Sequence, residues 1–284
     1  MYSKELDKSF ANKEELFDGL FKSKKDIISL KKAEVILSKD RAIGVPYIGK
    51  SKLDNEVNKA TFSDNSYYYV AVNTTNILDS HGDLHVDGIW NKSAKEQSGK
   101  NFLVEDHKFE MDKVIVKKQD IEIFVKYIPF SAIGRKYEGD TQALIYKFKK
   151  DKVREGVGKE WLESGDDIEA SVKMQYVDIR LAMDSNDASH VEEKANYDEY
   201  VPRIANKSEF GDLNYFWVVK QAKNIGESSL VLSGSNGATG VVDNKNTKDT
   251  DKNIEPSNDT HEENTQNEPL INYKYLTDNY IKNK

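Results

Sequence analysis

From Tyr67 to Val242 the chain advances in short runs of β-branched and aromatic residues broken by Gly, Asp and Asn, and a stretch patterned in this way has to build sheets. The runs are Tyr67–Asn73, Val114–Lys117, Ile121–Ile128, Ile168–Ile179, Phe216–Lys220 and Ser229–Leu232. Two interruptions, Trp90–Ser98 and Thr141–Ser164, read as helices, the second because Val153, Val157 and Trp161 recur four apart. A third helix is expected between Lys13 and Lys32, where Leu16, Phe17, Leu20, Phe21, Ile27, Ile28 and Leu30 return mostly at three- and four-residue steps. That amphipathic helix either packs on the main domain or forms a detachable arm. The expected fold class is therefore α+β, mainly β.

The expected divisions are a helical arm and lead-in over 1–50, a β-rich domain over 51–242 with a polar insertion at 182–212, and a tail over 243–284. Asp243 to Glu268 is Asn, Asp, Glu, Lys and Thr with Ile254 as nearly its only apolar residue. Such a segment cannot offset the entropy of ordering, so an acidic, disordered tail is expected. Its apolar end, Leu270 to Ile281, reads either as a docking peptide or as an end strand that folds back.

A net charge of -7, with lysines interleaved among acids, argues against a nucleic-acid partner. The chain has no cysteine, which excludes disulfides, thiolate catalysis and Cys-ligated zinc and fits a reducing compartment. Lys4, Glu5 and Asp7 stand where a secretory signal would need apolar residues, and no apolar run approaches the roughly 18 residues of a membrane span.

Ile168, Ala170, Val172, Met174 and Tyr176 alternate strictly, which sets Ser171 on the opposite, polar face of its strand. Such a serine is a plain solvated position unless a neutral imidazole lies within reach to take its proton and a third group orients the ring. Of the five histidines, His190 falls in the polar insertion and His261 in the tail, both read as surface positions. His81 and His85 flank Asp83 at spacings that suit a metal, but Gly82 breaks any helix that would align them, and a turn ahead of a helix is the competing reading. His107 ends the apolar run Asn101-Phe102-Leu103-Val104-Glu105-Asp106, where a strand end can hold an imidazole in place.

The order of these motifs resembles the prohead (capsid maturation) protease family of tailed phages, which shares its fold with the herpesvirus assemblins. The matching stretches are Asp79-Ser80-His81-Gly82-Asp83 with Asp87-Gly88-Ile89-Trp90, then Phe102 to His107, then Trp161 to Asp166 with Ile168-Glu169-Ala170-Ser171, and last Glu227 to Asn236. They span Tyr67 to Val242. Lys173 departs from the family's usual Gly two residues after the serine, and Lys108 from the Asp that often follows the histidine.

The resemblance implies a small closed or partly open β-barrel flanked by helices, with 51–242 as a protease domain. It implies Ser171 as nucleophile, His107 as base and Glu227 as third member, with His190 as the alternative because assemblins use a second histidine. The activity implied is a serine endopeptidase that needs no cofactor or metal and cleaves the major capsid protein precursor, the scaffold protein and itself, in the host cytoplasm inside the immature head. No nucleic acid or membrane partner is expected, and assemblins offer a precedent for a homodimer. The reading from another class is a non-enzymatic, scaffold-like capsid assembly protein.

Overall fold

The computed structural model describes residues 1–37, 49–51, 53 and 56–243, so the tail expected beyond Asp243 lies outside the described residues. A two-residue pair, β1 (Tyr2–Ser3) and β2 (Lys8–Ser9), precedes α1 (Lys13–Ala33), β3 (Ile36–Leu37) and α2 (Glu56–Thr61). Next come β4 (Tyr67–Thr74), β5 (Asp83–His85), α3 (Asn91–Gln97), β6 (Phe102–Glu105), β7 (Val114–Val116), β8 (Glu122–Pro129) and β9 (Asp140–Lys149). The described chain ends with α4 (Val157–Ser164), β10 (Glu169–Met183), α5 (Val191–Tyr200), β11 (Tyr215–Val231) and β12 (Gly240–Val241).

Two larger sheets stack on each other. One runs β3-β10-β11-β6-β7 with β5 also on β11, and the other runs β12-β4-β9-β8. Val70 and Val72 of β4 and Leu144, Tyr146 and Phe148 of β9 meet Ala170, Val172, Met174 and Tyr176 of β10 in the main core. On the other face of the four-stranded sheet, Tyr69, Ala71, Ala143 and Ile145 pack with Phe62 and Phe130. The architecture is a mixture of α and β elements with open sheets, and the described strands form no closed barrel. Stacking two sheets face to face buries their apolar sides without closure.

Helix α1 belongs to this core. Asn12 caps it by accepting from the Glu15 N–H at 2.8 Å, and acidic residues lie in its first turn and lysines in its last, as the helix dipole favours. Leu16, Phe17, Leu20 and Ile27 are buried in the main cluster. Ion pairs fasten the polar flank: Lys13 with Asp184 at 3.0 Å, Lys31 with buried Asp83 at 2.6 Å, and Lys24 with buried Glu193. Of the two alternatives open from the sequence, the helix takes the packed one.

Two expectations need correction. Thr141 to Lys149 is strand, not helix: β9 is central, paired with β4 and β8, and buried on both faces, so period-2 alternation is absent from its sequence. The polar segment 182–212 does lie between β10 and β11, but His190 in it is no surface position: the segment carries α5 and buries His190, Glu193, Asn196 and Tyr200. Asn196 donates to the Leu181 carbonyl at 2.9 Å, and polar residues buried with such partners leave no apolar period to read.

Leu20→Ala should cost about 2–5 kcal/mol in urea unfolding, the range for emptying a filled core site. A loss indistinguishable from an exposed Leu→Ala change would mean that α1 is not docked.

Candidate active site

Ser171 of β10 and Glu227 of β11 meet His107, which lies in the turn after β6. The His107 ring sits between the other two, with Nε2 2.8 Å from Ser171 Oγ and Nδ1 2.9 Å from Glu227 Oε1 and 3.2 Å from Oε2. A carboxylate only accepts, so Nδ1 carries the ring proton and Nε2 is left as the acceptor for the serine O–H. All three side chains are buried: Ser171 is 2% exposed, and the side chains of His107 and Glu227 are 0% and 1% exposed.

Local structure explains the meeting. Ser171 pairs with Ser229 across β10 and β11, and the alternation of β10 buries Ala170 and Val172 in the main core while Ser171 faces away from it. His107 follows β6 in a tight turn, where Asp106 and His107 both have positive φ, +47° and +54°. Left-handed backbone at consecutive non-glycine residues costs on the order of 1–3 kcal/mol each and persists only when its surroundings hold it. Here Ser229 Oγ accepts the His107 N–H at 2.7 Å and donates to the Val104 carbonyl at 3.0 Å, while the Asp106 N–H reaches the Leu230 carbonyl at 3.0 Å.

Glu227 is delivered by a bulge. Val172 pairs with Ser228 and Met174 with Asn224, so Lys173 faces three residues of β11, Ile225 to Glu227. Asn224 holds the loop open, donating to the Lys173 carbonyl at 3.0 Å and to the Glu227 carbonyl at 2.9 Å, while its oxygen accepts from Tyr146 and Asn101. Gly226 takes φ +74° at the apex and donates to Asn101 Oδ1 at 3.1 Å. Lys173 itself is not among the positive-φ residues, so glycine is not required there.

Buried Arg135 braces the strand leading to the serine. Its guanidinium donates to Asp167 Oδ1 at 3.0 Å and to the Gly237 carbonyl at 2.6 Å, and pairs with Glu169 at 3.5 Å. Burial raises the Glu169 carboxyl above its ordinary range, against the opposing pull of the Gly234 N–H and Arg135. Ser229, Asn224 and Arg135 escape a search for chemical groups because none of them reacts. The only signal for them is a polar residue where the pattern calls for an apolar one.

The other candidates lie elsewhere. His190, expected at the surface, is buried with Nδ1 2.8 Å from Ser185 Oγ and its ring 4.6 Å from that of Phe21, so it is committed to α1 packing and takes no part in this constellation. His85 meets Asn73 Oδ1 at 3.1 Å and Tyr176 Oη at 3.3 Å, and burial depresses it to about 3. Asp83 accepts from Tyr176 and Lys31. Burial, aided by the nearby Asp83 charge, raises Asp79 well above the carboxylate range. Among the described residues no group of three or more His, Asp or Glu is arranged to hold a metal. The cavity of about 960 Å³ between Tyr2, Asp79, Phe210 and Tyr215 is not lined by Ser171, His107 or Glu227.

Comparison with protein-family models, curated proteins and solved structures gives no match to this chain. Among the described residues no helix is long and apolar enough to cross a membrane.

Glu227→Gln keeps the side-chain shape but can stabilise the wrong imidazole tautomer and cannot balance an imidazolium. If the constellation hydrolyses peptides, its kcat should fall by about 10⁴-fold with the urea midpoint little changed, as expected when a triad carboxylate becomes an amide. Unaltered turnover would remove Glu227 from the chemistry.

Proposed function

We propose that this chain is a serine endopeptidase of the phage prohead maturation kind, acting on the major capsid protein precursor and the scaffold protein inside the immature head in the host cytoplasm. The observation that carries the reading is a single buried imidazole bonded on one side to Ser171 and on the other to Glu227. An assembly factor without enzymatic activity has no use for that arrangement, which places a weak nucleophile, a base and an orienting carboxylate in hydrogen-bond reach of one another. The order of elements adds support: the turn around Asp79–Asp83, the β6 strand ending at His107, α4 closing before the serine strand, and Glu227 on β11.

In this reading His107 Nε2 takes the Ser171 proton as Oγ attacks a peptide carbonyl. The imidazolium, held by Glu227, gives that proton to the leaving amine. Water, activated by the same nitrogen, then hydrolyses the acyl-serine ester and returns the site to its starting state. Every proton in this cycle passes through one nitrogen, so the rigid turn at Asp106–His107 acts directly on rate.

Co-expression with the capsid precursor encoded in the same genome should yield shortened precursor, whereas Ser171→Ala should leave it full length by intact mass. Equal processing with both proteins, or none with either, would favour the scaffold-like alternative.

A further inference from the structure

Lys173 lies beside the serine on its own strand. Ala170, Val172, Met174 and Tyr176 fill the main core, so Ser171 and Lys173 leave β10 on the opposite face. Two residues of strand span roughly 6.6 Å, about the reach of a lysine side chain, so a polypeptide lying at Ser171 comes within range of its ammonium. That ammonium sits 5.9 Å from the centre of the Phe109 ring. Phe109 stands two residues beyond His107, is 58% exposed, and meets Phe102 edge-on at 5.5 Å. Lys118 in turn sits 5.8 Å from the Phe102 ring, and Phe102 is across from Glu227 of β11. Two aromatic rings and two ammonium groups therefore line one flank of the site. The acids around them are already engaged: Glu227 with His107, Asp106 with Lys108 at 3.5 Å, and Glu105 with Lys113 at 3.5 Å and the Gly158 N–H at 3.1 Å. Among the described residues Lys173 and Lys118 form no ion pair; their charges rest on the rings alone.

We propose that Lys173, seated on Phe109 and reinforced by Lys118, is a specificity-determining residue of the Ser171 site and selects polypeptides with an acidic side chain within two positions of the bond cut. The inference rests on the reading of Ser171 as a nucleophile and names the class of substrate that this nucleophile receives. A cation over an exposed ring is held only weakly, so an arriving carboxylate can draw the ammonium from Phe109 into an ion pair. The ring and the lysine stem then lie against the methylene groups of the incoming Asp or Glu, which favours a side chain that is apolar along its length and charged at its tip. Basic substrates meet the opposite: two like charges with no neighbouring acid free to offset them. Lys173 touches none of the reacting atoms in this scheme, so its effect falls on which sequences are cut and not on the proton transfers at His107.

The test is digestion of a proteome-derived peptide library by the full chain and by its Lys173→Glu, Lys173→Gln and Ser171→Ala variants, with the cut sites read by mass spectrometry and urea unfolding run on each protein. Cuts made by the wild type and absent with Ser171→Ala should carry Asp or Glu within two residues of the bond about five-fold more often than the library does, the scale of one partly exposed ion pair. That excess should shrink as salt is raised to about 0.5 M, where charges are screened over a few ångströms. Lys173→Gln should erase the excess, and Lys173→Glu should turn it into an excess of Lys and Arg. Should Lys173→Glu fail to fold, the more conservative Lys173→Gln decides. Serine-dependent cutting with no acidic excess, or with the same excess in a folded Lys173 variant, would overturn the proposal and leave the protease reading standing. No serine-dependent cutting by the wild type would overturn the protease reading and the proposal together.

Discussion

The pairing of β10 with β11 is the constraint on which the site depends. Along this ladder Ser171 is fixed against Ser229, and the first of three breaks in its register, where Lys173 faces Ile225 to Glu227, turns the Glu227 carboxylate toward the imidazole. A bulge costs ladder bonds and strengthens local twist, and it persists only where other groups replace what it removes. Asn224 does so by bonding both lips of the loop, which leaves Glu227 held by its backbone and free to orient His107. The asymmetry of hydrogen-bond energies explains why a neutral amide sits there. Each satisfied bond adds only about 1 kcal/mol, whereas a buried carbonyl left bare costs about 1–3 kcal/mol.

The histidine arm is built on the opposite logic. Two successive left-handed residues are unfavourable, and the strain is offset by the serine hydroxyl of β11 and by the Leu230 carbonyl. β6 adds to β11 in parallel, with Glu227 opposite Phe102 and Ser229 opposite Val104, so the strand that carries the carboxylate also sets the start of the turn that carries the imidazole. One strand thus positions two members of the constellation and pairs with the strand bearing the third. This is the rigidity that the proposed proton transfer through a single nitrogen would require.

Much of this was legible in the sequence, for physical reasons. Ser171 stood out because Ile168, Ala170, Val172, Met174 and Tyr176 alternate along β10, and α1 because its apolar stripe is interrupted mostly by lysines and acids. Phe102 to Glu105 showed as an apolar run ending in polar residues at His107. What failed to show was structure held by buried polar groups. β9 is covered on both faces and so lacks a period, and Phe216–Lys220 and Ser229–Leu232, read as separate runs, lie in one long strand because Asn224 and Gly226 mark a bulge and not a turn. α5 conceals its inner face behind Glu193 and Asn196, whose partners lie outside the helix, and His190 looked exposed because the Phe21 ring that covers it comes from α1. Of the closed or partly open barrel expected, the described strands show no closure, a matter of long-range pairing that no local pattern encodes.

Reaction with a small fluorophosphonate, which needs far less room than a polypeptide, tests the central claim most directly. If Ser171 is an activated nucleophile, peptide mass analysis should place one phosphonyl group on Ser171, and His107→Ala should abolish it while leaving the protein folded. A wild-type chain that stays unlabelled, or a His107→Ala protein labelled equally well, would contradict the account.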